Sequence, residues 1–223
     1  SDNWGFTATY DSDGNFYAGG AVAGSNYPTT TGAYSQTYSG GGTGGGNGTS
    51  FPCDIAITKF NRTGNALLYS TFVGGRDNDQ PHSMIVDEDN NLVVSGRTYS
   101  DNFPVTKTAF DTSFNGNADI VVLKLNSAGS ALLASTYMGG TEDDGVNVSS
   151  NWSVTGVSLK HSYGDDARSE VIVDKRGNIY VAAATRSADF PRVHAVQNIP
   201  GSTQDGVAFK FNRTLDTLMW STY

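Results

Sequence analysis

A pattern that occurs three times along the chain restricts its possible folds more than any other feature. It reads DIAITKFNRTGNALLYSTFVGG from Asp54, DIVVLKLNSAGSALLASTYMGG from Asp119 and DGVAFKFNRTLDTLMWSTY from Asp205. Each copy has two apolar runs joined by a short polar link, and the second run ends on Ser-Thr-Tyr or Ser-Thr-Phe. Two strand-like runs with so short a link predict a β-hairpin.

A different pattern precedes each of these hairpins. It reads DSDGNFYAGG from Asp11, DEDNNLVVSG from Asp87 and DKRGNIYVAA from Asp174. It predicts another hairpin, because its turn residues tolerate a positive φ angle. These turn residues are Gly14-Asn15, Asn90-Asn91 and Gly177-Asn178. Two hairpins in each unit predict a four-stranded antiparallel sheet, built three times.

The two patterns divide the chain into three units of about 65 residues, apart from two insertions. We assign residues 1–75 to the first unit, 76–140 to the second and 141–223 to the third. The first unit carries a glycine-rich insertion near 40–48, and the third carries an insertion near 145–165. All three units are expected to belong to one domain.

An aromatic residue followed by Pro lies at the same place in every unit. Because Pro cannot donate to a β-ladder, we predict an extended segment that leaves the sheet, with the ring packed over a sheet edge. The pairs are Tyr27-Pro28, Phe103-Pro104 and Phe190-Pro191. Eight residues before the first Asp of each unit stands a short polar side chain suited to capping a turn between units. These residues are Asn3, Asp79 and Asp166.

The strands of the second hairpin of each unit are apolar on both faces. In the copy that begins at Asp119, Val121 and Leu123 would face one way and Ile120 the other. Such strands are expected to be covered on both sides by stacked sheets. A recurring Lys interrupts the second face, and an ion-paired or snorkelling structural role is its simpler explanation. Its copies are Lys59, Lys124 and Lys210. Four-stranded sheets in tandem predict an all-β chain with a β-propeller fold.

Closed propellers typically need at least four blades. We therefore expect the three units to be part of a propeller of six to eight blades, in a chain longer than this one.

The run D-x-(V/A)-x-(T/L/F)-K-(F/L)-N, then S-T-(Y/F)-x-G-G, then V-D-x-x-(G/N)-N-x-x-V and (F/Y)-P, resembles the SBBP, or "beta-propeller", repeat. That repeat is found in bacterial secreted and surface proteins, including type IX-secreted and gliding-associated proteins of Bacteroidota.

The resemblance covers all three units apart from the insertions. It departs from the family pattern at residues 8–11 and at Ala182-Ala183, where the family has a small residue followed by Gly. The resemblance implies a propeller fold and a secreted or cell-surface location, and it brings no catalytic residues with it.

Composition excludes several classes of partner. The formal net charge of -8 and a pI near 4.6 argue against nucleic acid, which requires clustered Lys and Arg. No apolar run is long enough for a membrane span, so a soluble segment is expected. Cys53 is the only cysteine, which excludes an internal disulfide, and it is expected to be a partly buried thiol without nucleophilic function.

Acidic turn residues are candidate calcium ligands. Asp11, Asp13 and Asn15 place oxygen atoms at alternating positions next to a glycine, as Ca²⁺ sites do. The distal bidentate Glu of a calcium loop is missing, however, and the third copy reads Asp174-Lys-Arg, which does not suit a cation. Hairpin-turn chemistry explains the same residues without a metal. No other cofactor is expected, and the three histidines share no metal-binding spacing.

The insertion of the third unit is the most distinctive part of the sequence. Trp152, His161 and Tyr163 stand there among small polar residues, a mixture that suits a recognition surface. Loops at the ends of a propeller are places where partners bind. An alternative is that Trp152 folds back and covers the edge of a blade.

The sequence leaves three functional hypotheses. The first is a non-enzymatic scaffold, adhesion or interaction module that binds other protein subunits or surface glycans. The second is a structural part of a secretion or motility assembly. The third is a polysaccharide hydrolase or lyase, for which Asp144, Asp165 and Asp166 are the plausible carboxylates.

Overall fold

The computed structural model describes residues 2–40, 52–146, 168–201 and 203–223. Within these ranges the chain forms twelve β-strands and no helix, so none of these residues belongs to a helix that could cross a membrane. The strands are β1 (Asp2–Tyr10), β2 (Phe16–Ala23), β3 (Asp54–Phe60), β4 (Leu67–Val73), β5 (Asp79–Val86), β6 (Leu92–Thr98), β7 (Asp119–Leu125), β8 (Leu132–Met138), β9 (Ser169–Val173), β10 (Ile179–Thr185), β11 (Asp205–Phe211) and β12 (Leu218–Thr222).

The strands form three four-stranded antiparallel sheets, which confirms the predicted all-β class and sheet composition. The first sheet contains β1–β4, the second β5–β8 and the third β9–β12, each in chain order. The second sheet packs against the first on one side and against the third on the other. Short hairpins join the first strand of each sheet to the second and the third to the fourth, because antiparallel neighbours need only a tight turn, whereas a longer segment joins the second strand to the third.

The turns of the first hairpins have the predicted backbone. Gly14, Asn90 and Gly177 have φ angles of 78°, 61° and 80°. Glycine reaches this region without steric cost, and Asn tolerates it better than most residues. The sequence therefore places these three turns correctly.

Each sheet has a front face toward the preceding sheet and a back face toward the following one, since side chains alternate along a strand. The back face of the first sheet meets the front face of the second in one apolar cluster, which includes Tyr17, Ile55, Ile57, Leu92, Val94, Leu123 and Leu125. The back face of the second sheet meets the front face of the third in another, which includes Val93, Ile120, Val122, Ile179, Val181, Phe209 and Phe211. All seven residues of β7 are buried, as predicted for a strand covered on both sides.

The aromatic residue before each recurring Pro packs on the fourth strand of its own sheet, at the sheet edge. The Phe103 ring lies 6.3 Å from that of Tyr137, centroid to centroid. The other two pairs are Tyr27 with Phe72, at 5.8 Å, and Phe190 with Tyr223, at 6.5 Å. Tyr223 directly follows β12. The prediction that these rings cover sheet edges is confirmed.

The outer strand of the second sheet contains a bulge between Pro81 and Ser83. Gly96 stands opposite this bulge, and a Cβ atom there would lie 2.2 Å from the carbonyl oxygen of Gln80. Only glycine fits so close to another backbone. The first sheet has the same arrangement at Gly20, opposite the bulge of β1.

The third sheet differs, because its outer strand is interrupted. Asp144 forms a bridge with Thr185, and pairing resumes at Ser169, which stands opposite Ala183. Residues 147–167, which contain most of the predicted insertion, lie outside the described part of the chain. The insertion therefore enters the sheet within a strand rather than at a turn between strands.

This topology corrects one sequence alignment. Counting back from Asp174 predicts that Asp166 is the counterpart of Asp79. In the structure the counterpart is Asp144, because it occupies the same place in the sheet and accepts the same hydrogen bonds. The insertion separates Asp144 from its own hairpin, so a count along the chain selects the wrong residue.

Candidate functional site

The recurring Asp of each first hairpin anchors its own turn. One carboxylate oxygen of Asp11 accepts hydrogen bonds from the backbone N–H groups of Asp13 and Asn15, at 3.1 and 2.9 Å. The other accepts from the Asn15 side chain and from the Tyr17 hydroxyl. Lys59 completes the arrangement with an ion pair of 2.9 Å. The carboxylate thus closes the turn and ties it to the third strand of the sheet.

The other two sheets contain the same anchor. Asp87 accepts from Asn91 and pairs with Lys124 at 2.6 Å, and Asp174 accepts from Asn178 and pairs with Lys210 at 3.9 Å. In every sheet the register of the third and fourth strands shifts directly after this Lys. A bulge re-aims side chains locally. The prediction of an ion-paired structural Lys is confirmed in all three sheets.

This geometry bears on the calcium hypothesis. A Ca²⁺ ion requires six to eight oxygen ligands. Asp11 instead contacts a Lys ammonium group and four hydrogen-bond donors, and Asp13 contributes its backbone N–H rather than its carboxylate to this network. No group of three or more His, Cys, Asp or Glu in the described ranges is arranged to hold a metal ion. Calcium at Asp11, Asp13 and Asn15 stays a prediction that the hydrogen bonding does not favour.

The three anchors differ in exposure. The side chains of Lys59 and Asp11 are 8% and 1% exposed, and those of Lys124 and Asp87 are 5% and 4% exposed. The corresponding values for Lys210 and Asp174 are 16% and 29%. A following sheet covers the first two anchors, whereas none of the described residues forms a sheet over the third.

A second recurring set of carboxyl groups lies where neighbouring sheets meet. Asp119 at the start of β7 and Asp144 both approach Gly139, where a Cβ atom would stand 2.2 Å from Oδ1 of Asp119 and 2.8 Å from Oδ2 of Asp144. The first and second sheets repeat the arrangement with Asp54 and Asp79 around Gly74. All four Asp residues are fully buried. Glycine is required at both places, because any side chain would displace the carboxyl groups.

The two members of each pair have different hydrogen bonding. Asp144 accepts from the Gly140 backbone and from the Thr185 and Ser187 hydroxyls. Asp119 accepts one bond from the Asn115 backbone, and its Oδ1 is buried with no hydrogen-bond partner. Asp144 is therefore the better placed of the two to carry a negative charge.

Burial disfavours ionisation of these groups. It raises the pKa of Asp79 to about 8, that of Asp119 to about 7, and those of Asp54 and Asp144 to about 6. Hydrogen bonds to each carboxylate oppose this shift, and the neighbouring carboxyl adds to it for Asp79 and Asp119. The anchoring carboxylate of Asp11 behaves oppositely: burial would raise its pKa, but its bonds to Asn15 and Lys59 lower it to about 2.

The carboxyl pairs were not predicted from the sequence as a functional group. A signal was present, since Asp follows the second Gly of the Gly-Gly pair by four residues at Asp79 and at Asp144. The backbone N–H of that second glycine donates to the Asp. The sequence assigned Asp79 only to turn capping and considered Asp144 as a candidate catalytic carboxylate and, more weakly, as a calcium ligand.

The hydrolase or lyase hypothesis needs Asp144, Asp165 and Asp166 to converge. Asp144 is buried and engaged with a backbone N–H and two hydroxyl groups, which gives it a structural function. Asp165 and Asp166 lie outside the described residues. Trp152, His161 and Tyr163 also lie outside them, so their recognition function stays a prediction.

Two further reactive side chains, the half-buried His82 and the buried Cys53, are engaged with neighbouring segments. His82 bonds to the Ser169 hydroxyl at 3.1 Å, and burial together with nearby arginine charges lowers its pKa to about 3. Burial raises the pKa of the Cys53 thiol to about 12, and that thiol donates to Asn78. A neutral thiol is a poor nucleophile. Both residues hold neighbouring segments together.

The turns of the second and third sheets enclose a polar groove of about 220 Å³. It is lined by Asp87, Glu88, Asp89, Asp174, Lys175, Arg176, Gly177 and Arg213. Arg213 pairs with Asp89 across it at 3.0 Å, in an exposed position. Exposed ion pairs of this kind contribute little stability. The groove therefore joins two sheets at their turns, and its four acidic and three basic residues nearly balance in charge.

No protein-family model matches the chain, and no curated protein matches it at a significant level. The functional assignment consequently depends on the geometry described above.

Proposed function

We propose that the three sheets are consecutive blades of a β-propeller with an SBBP-type repeat. In this proposal the chain is a non-enzymatic scaffold and interaction module of a secreted or cell-surface bacterial protein. Its partners are other protein subunits or surface glycans, in adhesion or in a secretion or motility assembly. The sheet-on-sheet stacking of three similar units supports the propeller arrangement.

One observation supports a scaffold more than an enzyme. The recurring acidic residues are used to build the sheets: one set closes turns and pairs with Lys, and the other set is buried beside glycines between sheets. A catalytic carboxylate needs access to a substrate. The recurring groups are instead held by bonds that repeat from sheet to sheet, as expected of structural residues.

Binding and turnover on bacterial surface glycans test this function together. We expect saturable binding without release of product. Joint replacement of Trp152, His161 and Tyr163 by Ala should weaken binding at least about 10-fold, since aromatic residues dominate recognition surfaces. Leu133→Ala is the matched control, because Leu133 is an exposed apolar residue outside the insertion; it should leave the affinity unchanged.

Two outcomes would contradict this proposal. Release of product that is abolished by Asp166→Ala, with an unchanged unfolding temperature, would establish the hydrolase or lyase alternative. Binding that survives the triple replacement would place the recognition surface outside the insertion.

A further inference from the structure

The back face of the third sheet is a close copy of the back face of the first. In the first sheet, the Tyr17 ring meets the Tyr69 ring at 6.2 Å, and the Lys59 ammonium lies 4.7 Å from the centre of the Tyr17 ring. In the third sheet, Tyr180 and Trp220 meet at 6.2 Å, and the Lys210 ammonium lies 4.7 Å from the centre of the Tyr180 ring. The two faces are therefore built for the same kind of neighbour.

The second sheet covers this face in the first copy. The Lys59 ammonium donates to the backbone carbonyl of Ser127, at the turn between β7 and β8. The Tyr69 ring lies against Gly129 in the same turn, where a Cβ atom would stand 2.4 Å from a ring carbon. On the third sheet the corresponding face remains partly exposed, and Ile172 on it is mostly exposed.

A loop contact accompanies each covered face. The backbone N–H of Tyr34 donates to the Gly129 carbonyl, and that of Phe110 donates to the Leu215 carbonyl, both at 2.8 Å. Each donor comes from the segment between the second and third strands of the preceding sheet. The contact thus joins one sheet to the hairpin turn of the next.

Val196 is the third member of this series. The N–H of the residue after it, Gln197, donates to the Thr222 hydroxyl, as Ser35 after Tyr34 donates to Thr71. Val196 is 94% exposed. The loop of the third sheet therefore presents an apolar side chain where the two preceding loops contact a following sheet.

The sizes of the contacting residues are matched at both covered junctions. A large Tyr69 faces a small Gly129, whereas a small Ala134 shares an apolar cluster with the large Leu215. Gly129 and Leu215 occupy the same position in their turns, with φ angles of 64° and 56°. Large is paired with small in each case, as close packing requires.

The same rule extends to the two uncovered faces. Trp220 occupies the position of Tyr69 and Ala134 on the back face of the third sheet. Gly64 occupies the position of Gly129 and Leu215 in the turn of the first sheet, with a φ of 71° and no atom within 4 Å of where its Cβ would stand. The front face of the first sheet around it carries the exposed apolar residues Phe16 and Leu67. A large residue at one end thus matches an open glycine at the other.

We propose that the back face of the third sheet docks onto the front face of the first sheet of a second copy of this chain. Trp220 of one copy then lies on Gly64 of the other, and the Val196 N–H donates to the Gly64 carbonyl. The contact is heterologous, so two copies form a closed ring if their rotation permits and a longer assembly if it does not. The inference rests on the propeller arrangement of the proposed function.

Sedimentation of the purified chain over a wide concentration range tests this contact. We expect the mass to rise from the monomer value of 23.6 kDa to at least twice that value. Gly64→Leu and Trp220→Ala should each weaken association at least about 10-fold, because the first fills the open space and the second removes the ring. Leu is compatible with this backbone conformation, as Leu215 demonstrates.

The double variant is the decisive control. Gly64→Leu with Trp220→Ala recreates the Leu215 and Ala134 combination found between the second and third sheets, so we expect association to return to within about 3-fold of the original. An equimolar mixture of the two single variants should also associate. A chain that stays monomeric, or single variants without effect, would overturn the docking proposal and leave the scaffold function standing.

Discussion

The second and third sheets contain the same strands and the same turn anchors, yet their surroundings differ. Every residue of β7 is buried, whereas buried and half-buried residues alternate along most of β11. The outer strand is continuous in the second sheet and interrupted in the third. The comparison teaches that a sheet's hydrogen bonding is determined within its own unit, while the stability that each bond contributes depends on what covers it.

Removing the anchoring Lys should give the largest difference in stability loss between the second and the third sheet. Burial would raise the pKa of Asp87, but bonds from Lys124 and Asn91 lower it. Lys124→Met leaves this buried carboxylate without its cation, so we expect a loss of about 3–5 kcal/mol in the free energy of unfolding. Urea unfolding measures the change.

Lys210→Met is the matched control, because Asp174 keeps access to solvent. A much smaller loss is expected there. Equal losses at both positions would contradict the idea that coverage by the next sheet determines the value of the pair.

Glycine replacement opposite the bulge tests the interrupted strand. Gly96→Ala forces a methyl group against the Gln80 carbonyl, and we expect a loss of about 1–3 kcal/mol or more. Ala183→Gly, at the equivalent position of the third sheet, removes no such clash and should only show the small cost of added backbone freedom. Thermal unfolding of both variants measures these two losses of stability. A harmless Gly96→Ala would mean that the bulge relaxes easily.

Replacing one of the buried carboxyl groups gives an expected change in stability that depends on pH. Asp119 has a folded-state pKa of about 7, above its ordinary value of 3.8, mainly because of burial. The folded state therefore binds more protons between pH 4 and 7, and its stability falls as pH rises through that window. Asp119→Asn removes this loss, so its stabilising effect on the chain should be about 2–3 kcal/mol larger at pH 8 than at pH 5.

Chemical unfolding at the two pH values measures the difference. Asp119 lies at the junction of the second and third sheets, so Asp54→Asn at the other junction serves as the comparison. A pH-independent effect of Asp119→Asn would show that the carboxyl is already ionised in the folded state.

Much of the fold could be predicted because its determinants are local. Apolar runs, Gly or Asn at the turns and a regular spacing are readable along the chain, and the structure confirms the hairpins that they predict. The recurring Lys was correctly assigned a structural role for a similar reason, since it interrupts an apolar face in all three units. The propeller arrangement itself remains part of the proposed function.

The junction residues could not be predicted, because they meet only after sheets stack. Asp119 and Asp144 are separated by 25 positions in sequence and become neighbours around Gly139. The insertion hid the correct counterpart of Asp79, because its boundaries leave no mark in the sequence. The size matching at the hairpin turns also depends on contacts between different units. Spacing within one unit carries no information about such contacts.

Ala183 and the insertion of the third unit depend on each other structurally. A methyl group at this position is excluded in the other two sheets by the bulge opposite, and it fits here where the insertion breaks the strand. The alanine therefore fits this sheet only while the insertion interrupts the strand. Removal of the insertion alone would rebuild the bulge against the Ala183 side chain. Ala183→Gly should therefore make this sheet tolerate removal of the insertion.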